Sequence, residues 1–212
     1  MKNCVTVLSL LLCTVSIHLY AQSLEVTFYG QRHSLSNQKS GTTKNGATGG
    51  MYFYFAGDFG DWAESEIHPG DFALGWAMDS YVGFGTLNSS FAFDLSADIF
   101  GLTGRYKLNN SDLCGFFYDP IQLYGTPLGS YFGSKLNLKY IHDRFQLNFE
   151  RGGGGMFTGF IAPNELQQTM HAVSLQYRFG SSVWFGGIRY STLSNNSSDR
   201  GNAFMVYVGF GE

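Results

Sequence analysis

Apolar and polar residues alternate one for one in stretch after stretch of this chain. In Phe145-Gln146-Leu147-Asn148-Phe149-Glu150 the apolar side chains share one face, and Val173-Ser174-Leu175-Gln176-Tyr177-Arg178-Phe179 repeats the scheme. Phe91 to Asp98 follows it, Leu24 to Phe28 opens with it, and Phe204, Val206, Val208 and Phe210 line one face of the last segment. A period of two is that of a β-strand, whose successive side chains point to opposite faces. The pattern predicts strands at 23–31, 49–57, 71–83, 89–99, 100–108, 112–119, 131–141, 144–151, 169–179, 181–191 and 202–210. Lys107 to Asp112 and Asp143-Arg144 read as turns; 32–48, 58–70 and 192–201, polar and rich in Gly, Ser and Asn, read as surface loops.

The two faces differ in kind. The polar faces carry Glu25, Asp94, Asp98, Lys135, Lys139, Glu150, Arg178 and Arg189, with both signs represented, as a packed polar lumen would. The apolar faces are rich in Phe, Tyr, Trp and Leu, the residues of lipid-facing bands and interfacial girdles. A closed barrel is also one of only two backbone arrangements that satisfy every peptide group in lipid. The expected fold is therefore all-β, an antiparallel up-and-down transmembrane barrel of about ten strands, with eight to twelve compatible with the pattern. Eleven segments is an odd count, whereas single-chain bacterial barrels are even-numbered. Either one segment is miscounted or a weak strand near 155–161 makes twelve. The same alternation also suits a soluble secreted barrel with the greasy face inward around an apolar ligand.

Composition narrows the picture. The chain has 28 Gly, 20 Phe and 13 Tyr against 4 Pro, with 14% charged residues. Aromatic side chains suit a pleated surface, and glycine lets closely spaced strands curl. A net charge of -3 with no basic stripe gives no nucleic-acid footprint. Residues 1–21 read as a signal peptide: Lys2, an apolar run from Val5 to Val15, then Leu19-Tyr20-Ala21 before Gln22. Residues 22–212 are then a single barrel domain with Cys114 as its one cysteine, which excludes an intramolecular disulfide. Nothing after Ala21 approaches the roughly 18 continuous apolar residues of a membrane helix, so any crossing is made by strands. Together these features place the expected protein in the outer membrane of a Gram-negative bacterium. The partners expected there are outer-membrane lipids or lipopolysaccharide and the barrel-assembly machinery, with the oligomeric state open.

Candidate chemistry is sparse. Gly152-Gly153-Gly154-Gly155 precedes no predicted helix and reads as a turn or a bent strand rather than a phosphate cradle. His33, His68, His142 and His171 are not spaced as ligands on one face, so neither a metal nor a cofactor is expected. The stretch Arg189 to Phe204 is more informative. Its Ser194-Asn195 pair, followed by Gly201-Asn202 and a last strand, resembles the end of the outer-membrane lipid A deacylases, whose motif is His-x-Ser-Asn. That resemblance implies Ser194 as nucleophile, Asn195 beside it, and release of an acyl chain from lipid A. Thr192 stands where the family has its catalytic His, and threonine supplies no base near neutral pH unless His33 or His171 approaches in the fold. Strand parity puts Ser194 on the face of Trp184, Ile188 and Tyr190, at a lipid-facing rim. The function expected is a non-catalytic barrel: structural, a narrow pore or a surface-binding scaffold. The alternatives are a Ser194 esterase and the soluble apolar-ligand barrel.

Overall fold

The computed structural model describes residues 23–59, 67–98, 100–126, 129–155, 168–181, 183–195 and 199–211. The signal segment 1–21, most of 58–70 and the twelfth strand beyond Gly155 lie outside the described residues. Among the described residues eleven strands run in chain order: β1 (Ser23–Asn37), β2 (Thr42–Asp58), β3 (Phe72–Leu87), β4 (Ser90–Asp98), β5 (Gly101–Lys107), β6 (Asp112–Thr126), β7 (Gly129–His142), β8 (Phe145–Gly155), β9 (Gln168–Arg178), β10 (Trp184–Asn195) and β11 (Asp199–Gly211). Each is antiparallel to its neighbours, and β1 pairs with β11, so the sheet closes on itself and no edge is left.

The odd count resolves at β4 and β5. Both lie between β3 and β6 and run the same way, β4 on the far half of β3 and β5 on the near half. They form one stave of a ten-stave barrel. From Ala77↔Gly101 to Ser80↔Ala97 three steps on β3 oppose four on this stave, so one extra residue is bulged out. A second bulge follows on β6, where Asp119↔Lys135 gives way to Gln122↔Gly133. Pro120 sits in that bulge, where its missing N–H costs no ladder bond. The Asp119 carboxylate accepts the freed Ile121 N–H at 2.8 Å.

With an even number of staves, both described ends, Ser23 and Gly211, lie at the same end of the barrel, here the terminal end. The other is the hairpin end. Two expected loops are corrected there. Residues 32–48 are mostly strand, with only 38–41 between β1 and β2, and the described residues of 192–201, 192–195 and 199–201, are all strand. These segments are polar on both faces, so the hydrophobic period disappears while the ladder hydrogen bonds continue.

Outward faces carry the apolar residues. Phe91 is 74% exposed and Val206 54%, and Phe28, Phe84, Leu138, Phe149, Leu175 and Ile188 also face out. A soluble barrel with a greasy interior requires the reverse arrangement. The outward row of β7 runs from Phe132 to Tyr140, about 26 Å along the strand and near 20 Å along the axis at a tilt of about 40°, close to a membrane band. Tyr177, Phe145, Phe179, Trp184 and Phe210 stack around its terminal-end border, a girdle with ring centroids 4.9 to 5.7 Å apart. No helix among the described residues is long and apolar enough to cross a membrane. Gly152 to Gly155 belong to β8, where Gly154 faces Gly133 of β7. A Cβ on either would run into the opposite backbone, so this is a close strand approach and not a phosphate loop.

Candidate functional site

Every charged residue assigned to the lumen points inward, but the two halves of the lumen are built differently. Toward the hairpin end it is filled. Tyr124, Met170, Ala172, Leu193 and Ala203 form a buried apolar cluster, with Leu35 and Tyr81 packed against it. These residues come from β6, β9, β10 and β11, and Met170 is wholly buried. Beside them His33 Nε2 is hydrogen-bonded to Thr48 Oγ1 at 2.6 Å, the hydroxyl accepting there as it donates its own proton to Asp94.

A floor of aromatic rings and ion pairs crosses the middle. Tyr29, Tyr81 and Tyr124 meet edge to face, with centroids 6.1 and 6.3 Å apart. The Lys135 ammonium donates to Asp79 at 2.6 Å and to Asp98, and lies 4.9 Å from the centre of the Phe117 ring. Tyr52 donates to the same Asp79 at 3.1 Å. Arg189 pairs with Glu150 at 3.1 Å and touches the Met170 sulfur at 3.9 Å, tying the ion pairs to the apolar cluster.

Toward the terminal end the lumen is open. A cavity of about 580 Å³ lies there, lined among others by Glu25, Tyr54, Arg105, Lys139, Arg178 and Tyr207. Arg105 is paired with Asp58, and Lys139 stands 5.4 Å over the Tyr54 ring. The lining therefore mixes tyrosine rings with fixed charges of both signs, suited to an amphipathic guest small enough to enter.

The structure places the expected Ser194 on the outside wall and Asn195 at the end of β10. Ser194 is outward and exposed, paired with Arg200 on one side and Thr169 on the other. Asn195 staples the β10–β11 hairpin: its amide donates to Asp199 at 3.2 Å and its carbonyl accepts the Asp199 N–H at 2.8 Å. His33 is in the lumen, with the wall between it and Ser194. His171 is outward, directly across from Thr192 and one rung from Ser194. Neither Ser194 nor His171 has a side-chain hydrogen bond among the described residues, so no serine–histidine pair is formed there. Among those residues no group of His, Cys, Asp and Glu is arranged to hold a metal ion.

The described residues thus form a closed antiparallel β-barrel with an apolar outer wall and a half-filled lumen. No family model matches the chain and no curated protein matches it. Among solved structures it is similar to the translocator domain of the autotransporter NalP from Neisseria meningitidis, at 13% identity and a TM-score of 0.42, covering 99% of this chain and 95% of that one. It is also similar to the CymD monoaromatic hydrocarbon channel, at 8% identity and a TM-score of 0.35, covering 91% and 88%. A third is the Pseudomonas putida toluene transporter TodX, at 8% identity and a TM-score of 0.32, covering 90% and 88%. At these scores the likenesses carry no argument about function, and none supports the deacylase resemblance of the C-terminal segment.

Proposed function

We propose that this chain is an outer-membrane barrel of non-catalytic type, a binding scaffold rather than a diffusion pore. The observation that carries the reading is the apolar cluster around Met170, which occupies the lumen at the hairpin end while the terminal end stays hollow. A passage across the membrane needs a continuous polar path, and dry side chains interrupt it. The outward apolar band supplies the membrane argument, because soluble proteins rarely expose a continuous apolar surface of this extent. With hairpins outward, the pocket opens on the side where the chain ends and faces the compartment from which an exported barrel is inserted.

Fractionation of cells expressing the full chain tests the first half of this reading. Recovery in the outer membrane, with a mobility shift between boiled and unboiled samples, supports it; a soluble protein without the shift overturns it. Cysteine labelling in a Cys114→Ser background tests the second half. A water-soluble maleimide is expected to modify Tyr54→Cys rapidly and Leu193→Cys only after unfolding, and equal rates would contradict a half-filled lumen. Release of acyl chains from lipid A is expected to be the same for the native chain and Ser194→Ala; its loss in the variant would restore the esterase reading.

A further inference from the structure

Beyond the lumen, the outside wall holds a second surface with a definite chemistry. The register of β8, β9, β10 and β11 sets their outward residues in level rows. Leu147, Leu175, Ile188 and Val206 make one row, and Phe149, Val173, Tyr190 and Phe204 the next toward the hairpin end. One rung further the row becomes Arg151, His171, Thr192 and Asn202, and then Gly153, Thr169, Ser194 and Arg200. Two apolar rows are capped by two rows of cations, hydroxyls and an amide, with no carboxylate among them.

Arg151, His171 and Arg200 are exposed, and among the described residues no carboxylate pairs with any of them. On β1 the two polar rows continue as Ser34, beside Asn202, and Ser36, beside Arg200, with Arg32 one rung below beside Phe204. The opposite rim differs: its outward His142 is paired with Asp112 at 2.7 Å. The outward histidines therefore differ: His171 on this wall has no carboxylate partner among the described residues, and His142 at the opposite rim has one.

We infer that this wall binds the phosphorylated head group of a lipid in the leaflet at the hairpin end, of the lipopolysaccharide type, with its acyl chains lying on the apolar rows below. Arginine suits a phosphate because its planar fork donates two parallel hydrogen bonds, and the Thr169, Thr192 and Ser194 hydroxyls stand ready as further donors. The four strands span about 15 Å, wide enough for a head group carrying more than one phosphate. A free anion would use only the upper rows. An amphiphile uses both halves of the grid, and that decides for a membrane lipid. Ser194 becomes a hydrogen-bonding residue at a lipid border, whether or not the barrel is a scaffold.

The test uses the full chain refolded in mixed micelles with fluorescent lipopolysaccharide, its enzymatically dephosphorylated form, and inorganic phosphate as competitor. The native protein is expected to bind the phosphorylated lipid at least tenfold more tightly than the dephosphorylated one. The double variant Arg151→Gln with Arg200→Gln is expected to lose that preference while keeping its heat-dependent mobility shift, since both side chains are exposed. The single variant Arg200→Gln, expected to lose part of the preference, serves if the double variant does not fold. Equal binding of the two lipids, or an unchanged preference in the folded variants, would overturn the inference. Competition by inorganic phosphate at the concentration of the lipid would overturn it in favour of a free-anion site.

Discussion

The two halves of the lumen are lined by the same strands under the same alternation, yet one is packed and the other hollow. At the hairpin end the inward positions of three adjacent strands hold Met170, Leu193 and Ala203, which pack with Tyr124 of β6. At the terminal end the inward positions hold Glu25, Lys139, Gln146 and Arg178, which stay solvated around a cavity. Ten staves enclose too little space for a wide channel and too much for short side chains to fill unaided. What decides between plug and pocket is whether long apolar side chains from opposite staves reach the same level. An inward ion network then fixes the boundary.

That comparison breaks first at its charged floor. Lys135→Met would leave Asp79 and Asp98 buried against each other with no cation, at a cost of about 3–5 kcal/mol. Lys139→Met, in the hollow half, removes a solvated cation over Tyr54 and is expected to cost under about 1 kcal/mol. Urea unfolding in micelles, followed by the heat-dependent mobility shift, measures both, and equal losses would mean that the halves do not differ in burial. Packing gives the next contrast. Met170→Ala removes a wholly buried side chain and is expected to cost about 2–4 kcal/mol, against about 1 kcal/mol or less for Met205→Ala in the pocket wall.

Smaller effects sharpen the picture of the wall. Gly187 is paired with Tyr207, whose ring would lie 2.5 Å from an added Cβ, while at Gly30 nothing lies within 4 Å. Gly187→Ala is expected to cost about 2 kcal/mol or more, since its Cβ meets the Leu175 carbonyl oxygen at 2.5 Å as well as that ring, and Gly30→Ala to be near neutral. The smallest effect belongs to the Asp112–His142 pair on the terminal-end rim, outside the apolar band. The Asp112 hydrogen bond and charge hold His142 above its ordinary 6.5. Hydrogen bonds from Tyr140 and His142 hold Asp112 down at about 2. The raised histidine stabilises fully below pH 6.5 and loses its contribution as pH rises through the folded value. The depressed carboxylate contributes above its ordinary 3.8 and loses that as pH falls through about 2. In Asp112→Asn the His142 titration followed by NMR is expected to move down toward 6.5; an unmoved midpoint would dissolve the pair.

Much of this was legible in the sequence because period two survives wherever one face meets lipid. Phe145 to Glu150 and Val173 to Arg178 lie in strands with the expected faces outward, and Glu25, Lys135 and Arg189 were recognisable as lumen residues. The alternation fails between Asp98 and Gly101, where the register shifts by one residue, so one stave reads as two strands. It fails again from Arg32 to Thr48, where Ser34 and Ser36 face out and His33 faces in, leaving no apolar side to mark a strand. The filled half-lumen was not legible at all. Met170 and Leu193 sit on neighbouring strands, but their packing with Tyr124 depends on closure of the whole barrel, and no local pattern encodes which inward residues meet across it. The cationic wall was equally hidden, because Arg151, His171 and Arg200 become neighbours only through the register of four strands.

Planar-bilayer recording of the purified, refolded chain tests the half-filled lumen most directly. The native protein is expected to show no steady conductance, because the cluster around Met170 closes the hairpin end. Large, stable channels from the native chain would contradict the plug and with it the binding-scaffold reading.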